Sequence, residues 1–158
     1  MKENNTITKK ELLLQLQKQA LKINLEEIKI LSSSFNKDQK HIPENYKKKY
    51  QDTYLKPFIK RLNKLKNDPN NYTGSINKTK LKNTINNLKK STIIDKIYFI
   101  TTVYATFILE EPIHPEGTIF PGKKQVVYKN KKYYCPVKEN QIQNPNAICK
   151  YCIAKQSL

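Results

Sequence analysis

Three cysteines and one histidine near the carboxyl end of the chain are the residues whose types and spacing could do chemistry. Twenty residues separate His114 from Cys135, thirteen separate Cys135 from Cys149, and two separate Cys149 from Cys152. A C-x-x-C pair places two thiolates on one tight turn, and a third cysteine with a histidine completes the four ligands of a tetrahedral structural zinc site. The spacing therefore predicts a metal site made of Cys135, Cys149, Cys152 and His114, with zinc as its cofactor.

Other interpretations of these residues stay open. An iron–sulfur cluster on three cysteines and one further ligand suits the same spacing. Cys149 and Cys152 could instead be small buried apolar side chains that bind nothing. His41 is a weaker ligand candidate, because it precedes Pro43 in a polar connector.

An enzyme is the leading alternative to a non-enzymatic binding or adaptor module. His114-Pro115-Glu116 followed by the C-x-x-C pair has the outline of the zinc deaminase signature, in which the glutamate moves protons at an open metal site. Glu116 would be the proton shuttle of such a metal-dependent hydrolase or deaminase. Two features depart from that signature: Ile148 replaces the proline before Cys149, and the chain does not alternate strands with helices.

The charge of the chain raises a third possibility. Its 158 residues include 30 basic and 13 acidic side chains, a net charge of +17 that would attract nucleic acid or an acidic protein. Residues 37–90 carry fifteen basic and four acidic residues. Arg61 is the sole arginine, and lysines act on phosphates as point charges without base-specific readout. A lysine-rich middle therefore predicts weak, salt-sensitive, non-specific nucleic-acid binding, or simply a solvated helix surface.

The apolar segments give no sign of a membrane partner. The uncharged run at residues 97–109 is shorter than a bilayer crossing requires, and the first ten residues lack the apolar core of a signal peptide. We therefore expect a cytoplasmic protein. Its three cysteines would then remain reduced rather than form disulfides.

The periodicity of apolar residues predicts the fold. Apolar positions at helical spacing, together with capping residues and prolines, predict five helices at residues 8–22, 25–35, 43–65, 79–90 and 92–109, with a kink or a break at Pro57. Residues 67–75 read as a loop, and residues 124–136 as a β-hairpin that turns near Asn130 and Lys131. We predict a mostly α single domain, 1–158. It would consist of a bundle of about five helices (1–110) and a tail with a hairpin and a cysteine-rich, metal-binding knuckle (111–158).

The tail also resembles a known family. The stretches HPEGTIFPG, YYCPVKENQ and NPNAICKYCIAKQ resemble the C-terminal motifs of a small uncharacterised protein family of methanogenic archaea, a domain of unknown function. The resemblance implies an archaeal, cytoplasmic protein and adds no substrate, reaction or partner. In that family's pattern the C-x-x-C pair often encloses Pro-Phe, whereas here it encloses Lys150 and Tyr151, which leaves the thiol spacing unchanged.

Overall fold

Helices dominate the chain, as the apolar periodicity predicts. The computed structural model describes residues 4–24, 26–29, 43, 45, 48, 56–88, 93–120, 122–143 and 148–157. In chain order its elements are β1 (Thr6–Thr8), α1 (Lys9–Leu21), α2 (Lys56–Asn67), β2 (Ser75–Asn77), α3 (Lys78–Asn86), α4 (Ile93–Val103), a π-helix (Tyr104–Leu109), β3 (Ile119–Phe120), β4 (Lys124–Gln125), β5 (Val127–Lys129), β6 (Lys132–Cys135), α5 (Lys138–Ile142), a 3-10 helix (Ile148–Tyr151) and β7 (Lys155–Gln156). Within the described residues, no helix combines the length and apolar character that a membrane crossing requires.

Capping boxes start the first helical segments where the sequence places them. The Thr8 hydroxyl accepts a hydrogen bond from the Glu11 amide (3.1 Å), and the Glu11 carboxylate accepts one from the Thr8 amide (2.9 Å). Asn24 and Glu27 make the same reciprocal pair before the helical residues 26–29. These bonds satisfy amides that have no partner inside the helix. The rest of the helix predicted to residue 35 lies outside the described residues.

A pair of short strands was not predicted. β1 and β2 pair antiparallel, with Ile7 opposite Ile76, and Ser75, the last residue of the predicted loop, is the first residue of β2. Each strand runs directly into a helix, α1 or α3, so that two strand–helix units lie side by side. Strands of three residues are too short to show an alternating apolar pattern, which is why the sequence does not reveal them.

The main core forms where α1 and α4 pack against α2. Phe58, Leu62 and Leu65 recur at helical spacing along α2 and are buried. The core also takes in Leu12, Leu16, Ile97, Ile100, Val103, Tyr104 and Ile108. Pro57 lies at the described start of α2. A kink or a break at Pro57 would be seen in the direction of the preceding residues, and residues 51–55 lie outside the described residues.

Two helices differ in detail from the prediction. The helix predicted at 79–90 starts at Lys78 and ends at Asn86, with Asn87 as its C-cap, because asparagine side chains compete with helical backbone bonds. The helix predicted at 92–109 changes to π geometry at Tyr104 and ends at Leu109, as predicted, with Glu110 as a C-cap at a left-handed φ of 55°. An element that is apolar nearly all round gives no periodic signal for such a change.

The predicted hairpin is present in the tail. β5 and β6 pair antiparallel, and both turn residues, Asn130 and Lys131, have positive φ (52° and 60°), as the favoured two-residue hairpin turn requires. β7 adds a parallel strand beside β6, and β3 pairs separately with β4. A second small apolar cluster of Phe120, Val126, Cys135 and Ala154 lies under these strands.

Candidate metal centre

Cys135 ends strand β6 and is buried, with a relative exposure of 6%. Its strand lies between β5 and β7, and its carbonyl accepts a hydrogen bond from the Ser157 amide (3.1 Å). Burial raises the pKa of the Cys135 thiol, while the backbone amides of Val137 and Lys138 act in the opposite direction. Amides directed at a sulfur favour its thiolate form, which is the form that binds metals.

Cys149 and Cys152 lie on the turn that the C-x-x-C spacing predicts. Cys149 is in the 3-10 helix, and the Cys152 amide donates to the Cys149 carbonyl (3.1 Å). Burial raises the pKa of the Cys149 thiol, and the neighbouring thiols of Cys135 and Cys152 raise it further. All three cysteines line one cavity, so the fold brings them together.

His114 enters the same region from the segment that follows the π-helix. Its ring contacts Phe58 of α2 (5.7 Å between centroids) and Phe120 of β3 (5.4 Å) edge-on. Burial, followed by the charge of Arg61, lowers the pKa of His114 to about 4. The imidazole is therefore neutral at pH 7, the form in which histidine binds a metal.

One small cavity joins the predicted ligands. His114, Cys135, Cys149 and Cys152 line it together with Pro112, Ile113, Val126 and Lys138, and its volume is about 10 Å³. That volume is close to the room that one water molecule needs. The structure thus brings all four predicted ligands to one cavity from three segments of the chain.

The arrangement is not yet a coordination sphere. All three cysteines are free thiols, and within the described residues no group of three or more His, Cys, Asp or Glu side chains stands in an arrangement that could hold a metal ion. The metal site, with zinc or an iron–sulfur cluster, therefore stays a prediction. His41 lies outside the described residues.

Glu116 takes a different place from the four ligands. It is exposed and lines an open groove between α2 and the loop after His114, whereas it is not among the residues that line the cavity. A proton shuttle at a metal-bound water has to reach the metal site itself. The structure does not bring Glu116 to the cysteines, and its catalytic role stays a prediction.

Sequence reasoning missed two cations that organise this region. The Lys138 amine donates to the carbonyls of Cys152 (2.6 Å) and Ala154 (2.5 Å), and its charge favours the thiolates of Cys135 and Cys149. The buried Arg61 guanidinium donates to the Ile113 carbonyl (2.5 Å), directly before His114. In the sequence, the one feature that distinguishes Arg61 is that it is the sole arginine among many lysines.

The fold and the cavity together define a small, mostly helical protein whose C-terminal tail contributes three cysteines to one cavity. The chain belongs to the family described as "Uncharacterized protein conserved in archaea (DUF2115)", whose model matches residues 8–157. This confirms the resemblance seen in the tail motifs and extends it over the helical part of the chain. No function is described for that family.

Relatives from methanogens span nearly the whole chain. A UPF0305 protein of Methanothermobacter thermautotrophicus is 33% identical over an alignment that covers 95% of this chain and 97% of the relative. The UPF0305 protein MJ0646 of Methanocaldococcus jannaschii is 30% identical over 92% of this chain and 94% of its own length. No solved structure matches the chain.

Proposed function

We propose that this protein is a non-enzymatic binding or adaptor module whose tail is held to a helical bundle by a structural zinc ion. Cys135, Cys149, Cys152 and His114 would be its four ligands. The observation that carries the proposal is the single small cavity that all four side chains line. In a reducing cytoplasm the thiols would remain available to the metal.

The surroundings of the thiols suit a zinc site with three thiolates. Three thiolates, a neutral imidazole and Zn²⁺ leave one net negative charge on such a site. The Lys138 amine lies at the same cavity and supplies the compensating positive charge. The amides of Val137 and Lys138 already favour the Cys135 thiolate, as the outer partners of metal ligands commonly do.

The tail has a structural need for such an ion. Its apolar cluster is small, and its strands are two to four residues long. Short sheets of this kind are marginal in water without additional support. Zinc binding contributes directly to folding free energy in small elements of this type, so one ion could supply what the cluster lacks.

The size of the cavity favours a single ion over a cluster. A volume of about 10 Å³ suits one atom, whereas an iron–sulfur cluster contains several irons and sulfides. Zinc–sulfur bonds are about 2.3 Å long.

Metal content tests the proposal. The untagged chain, purified under reducing conditions with zinc present, is expected to hold close to one zinc per chain by elemental analysis. Cys149→Ser is expected to lose most of that zinc and to unfold at a lower temperature, because it removes one of four ligands. Several irons per chain would instead indicate a cluster, and a metal-free protein would overturn the proposal.

A matched control separates ligand loss from general destabilisation. Val126 lines the same cavity, is 1% exposed and has no metal-binding atom, so Val126→Ala is expected to destabilise the chain through lost packing. It is expected to retain zinc at the wild-type ratio. If Val126→Ala lost as much zinc as Cys149→Ser, Cys149 would not be established as a ligand.

A further inference from the structure

An open groove of about 810 Å³ runs between α2 and the loop that follows His114. One wall carries Lys56, Lys60, Arg61 and Lys64 from α2, and the other is formed by residues 115–119. Pro57 and Ile119 contribute apolar surface. Arg61 links the groove to the cysteine cavity, since its guanidinium donates to the carbonyl of Ile113, which lines that cavity.

Exposed lysines give the groove its charge. Arg61 and Glu111 form an ion pair with each other (3.4 Å), so neither determines the charge that a ligand would meet. Among the described residues that line the groove, the exposed lysines Lys60 and Lys64 then face one exposed carboxylate, Glu116, and Lys56 continues the same row. The groove therefore attracts an anion.

The spacing of the lysines describes that anion further. Lys56, Lys60 and Lys64 are four residues apart and lie on one face of α2. Successive lysines are therefore about 6 Å apart along the helix axis, at 1.5 Å per residue. A row of point charges with a regular repeat suits a linear polyanion better than a compact one.

We propose that this groove binds the phosphate backbone of a single-stranded nucleic acid, without reading its sequence. The proposal rests on the proposed function as a binding module and names the partner class of that module. Every nucleotide carries a phosphate, so a strand of any sequence presents a charge at each step. An extended peptide would need acidic residues at alternate positions to do the same.

The lining of the groove fits this class of ligand. Lysine amines bind phosphates as point charges and do not read base edges as arginine does. A duplex is a convex cylinder too wide to enter a groove of this volume, whereas a single strand can lie along it. Apolar side chains such as Ile119 and Pro57 offer surface against which sugars and bases can rest.

The test measures binding of a fluorescein-labelled oligothymidylate of twelve nucleotides by fluorescence anisotropy, at salt concentrations from low to physiological. The zinc-loaded full chain is compared with the double variant Lys60→Gln/Lys64→Gln. Binding is expected to weaken in the variant. The slope of log K against log salt is expected to become shallower by about 1.4, because each lost phosphate contact removes about 0.7 for single strands.

A second pair of lysines provides the control. Lys80→Gln/Lys82→Gln removes the same charge from exposed positions on α3, away from the groove. Its slope is expected to match that of the wild type. Equal losses from both pairs would mean that overall charge does the binding, and would overturn the groove as the site.

Other ligands serve as competitors in the same assay. Oligoglutamate that displaces the strand at equal charge concentration would overturn the nucleic-acid assignment in favour of an acidic peptide. A duplex that binds as tightly as the single strand would contradict the geometry argued above, and no binding even at low salt would overturn the proposal.

Zinc content is measured on the same samples, which keeps the two proposals separate. Zinc without oligonucleotide binding would overturn the groove alone, whereas strand binding by a metal-free chain would overturn the zinc site alone.

Discussion

Asp68 shows how a single buried carboxylate fixes the start of the loop between α2 and β2. It is 6% exposed, and its oxygens accept hydrogen bonds from the hydroxyls of Tyr104 (2.5 Å) and Tyr72 (2.8 Å) and from the Asn70 amide (2.9 Å). Tyr104 is the first residue of the π-helix and is fully buried. The carboxylate therefore joins the loop to the centre of the main core.

Removal of the Tyr104 hydroxyl is expected to destabilise the protein. Tyr104→Phe leaves a buried carboxylate with one donor fewer, which costs about 2 kcal/mol in the free energy of unfolding. Tyr72→Phe is the control, and its cost is expected to be smaller because Tyr72 is half-buried. Urea unfolding measures both, and equal costs would contradict the special role of the buried tyrosine.

The hydrogen bond between Asp68 and Tyr104 also predicts that stability depends on pH. Burial acts to raise the pKa of Asp68, but the hydrogen bonds from Tyr104, Asn70 and Tyr72 outweigh it, and the pKa is lowered. Because the pKa of Asp68 is lower in the folded state than its unfolded value of about 3.9, the ionised carboxylate stabilises the folded protein above that pH. This stabilisation is lost as the pH falls through the folded-state pKa. The stability gap between wild type and Tyr104→Phe is therefore expected to narrow below about pH 4. A gap that stayed constant from pH 7 to pH 3 would argue against it.

At the scale of elements, the hairpin turn between β5 and β6 can be improved. Lys131 has a φ of 60°, a left-handed conformation that costs a residue with a side chain about 1 kcal/mol. Lys131→Gly removes that cost, and Asn-Gly is a favoured pair for this turn. The substitution is expected to raise the free energy of unfolding by about 0.5 kcal/mol, after the extra flexibility of glycine in the unfolded chain is subtracted.

A glycine elsewhere in the hairpin provides the comparison. Lys129 lies in β5, paired with Lys132, so Lys129→Gly is expected to lower the free energy of unfolding by about 0.5–1 kcal/mol. Chemical unfolding of the two variants should therefore shift in opposite directions. A loss in both would show that the turn does not carry the strain inferred from its φ.

At the scale of the whole molecule, Arg61 connects the helical part to the tail. Its guanidinium is 6% exposed and holds the Ile113 carbonyl and the Glu111 carboxylate, so that the start of the tail is fixed against α2. His114 follows directly and lies against Phe58 of the same helix. One side chain thereby positions the segment that delivers the predicted histidine ligand.

Arg61→Lys is expected to weaken this connection. Lysine keeps the charge but cannot reach both acceptors with a planar fork, so the free energy of unfolding should fall by about 2 kcal/mol. Amide exchange in residues 113–135 should accelerate in the same variant. Lys60→Gln, one residue away and exposed, is expected to change stability by less than about 0.5 kcal/mol. Slow exchange retained in the tail of Arg61→Lys would show that other contacts hold it.

The sequence by itself determined features whose causes lie within a few residues. The capping boxes at Thr8 and Asn24, the helical face of α2, the turn at Asn130 and Lys131 and the C-x-x-C turn all depend on neighbours in the chain. The tail motifs also identified the family. Local backbone preferences and side-chain spacing are sufficient causes for each of these features, so they could be read without a fold.

Tertiary structure alone decided which distant residues meet. Pairing of β1 with β2 and the salt bridge of Arg61 with Glu111 each link segments far apart in the chain. Tertiary structure also places Glu116 at the lysine-lined groove rather than at the cavity. Such contacts depend on how whole helices pack, because packing sets distances between segments whose spacing in the sequence carries no information about them.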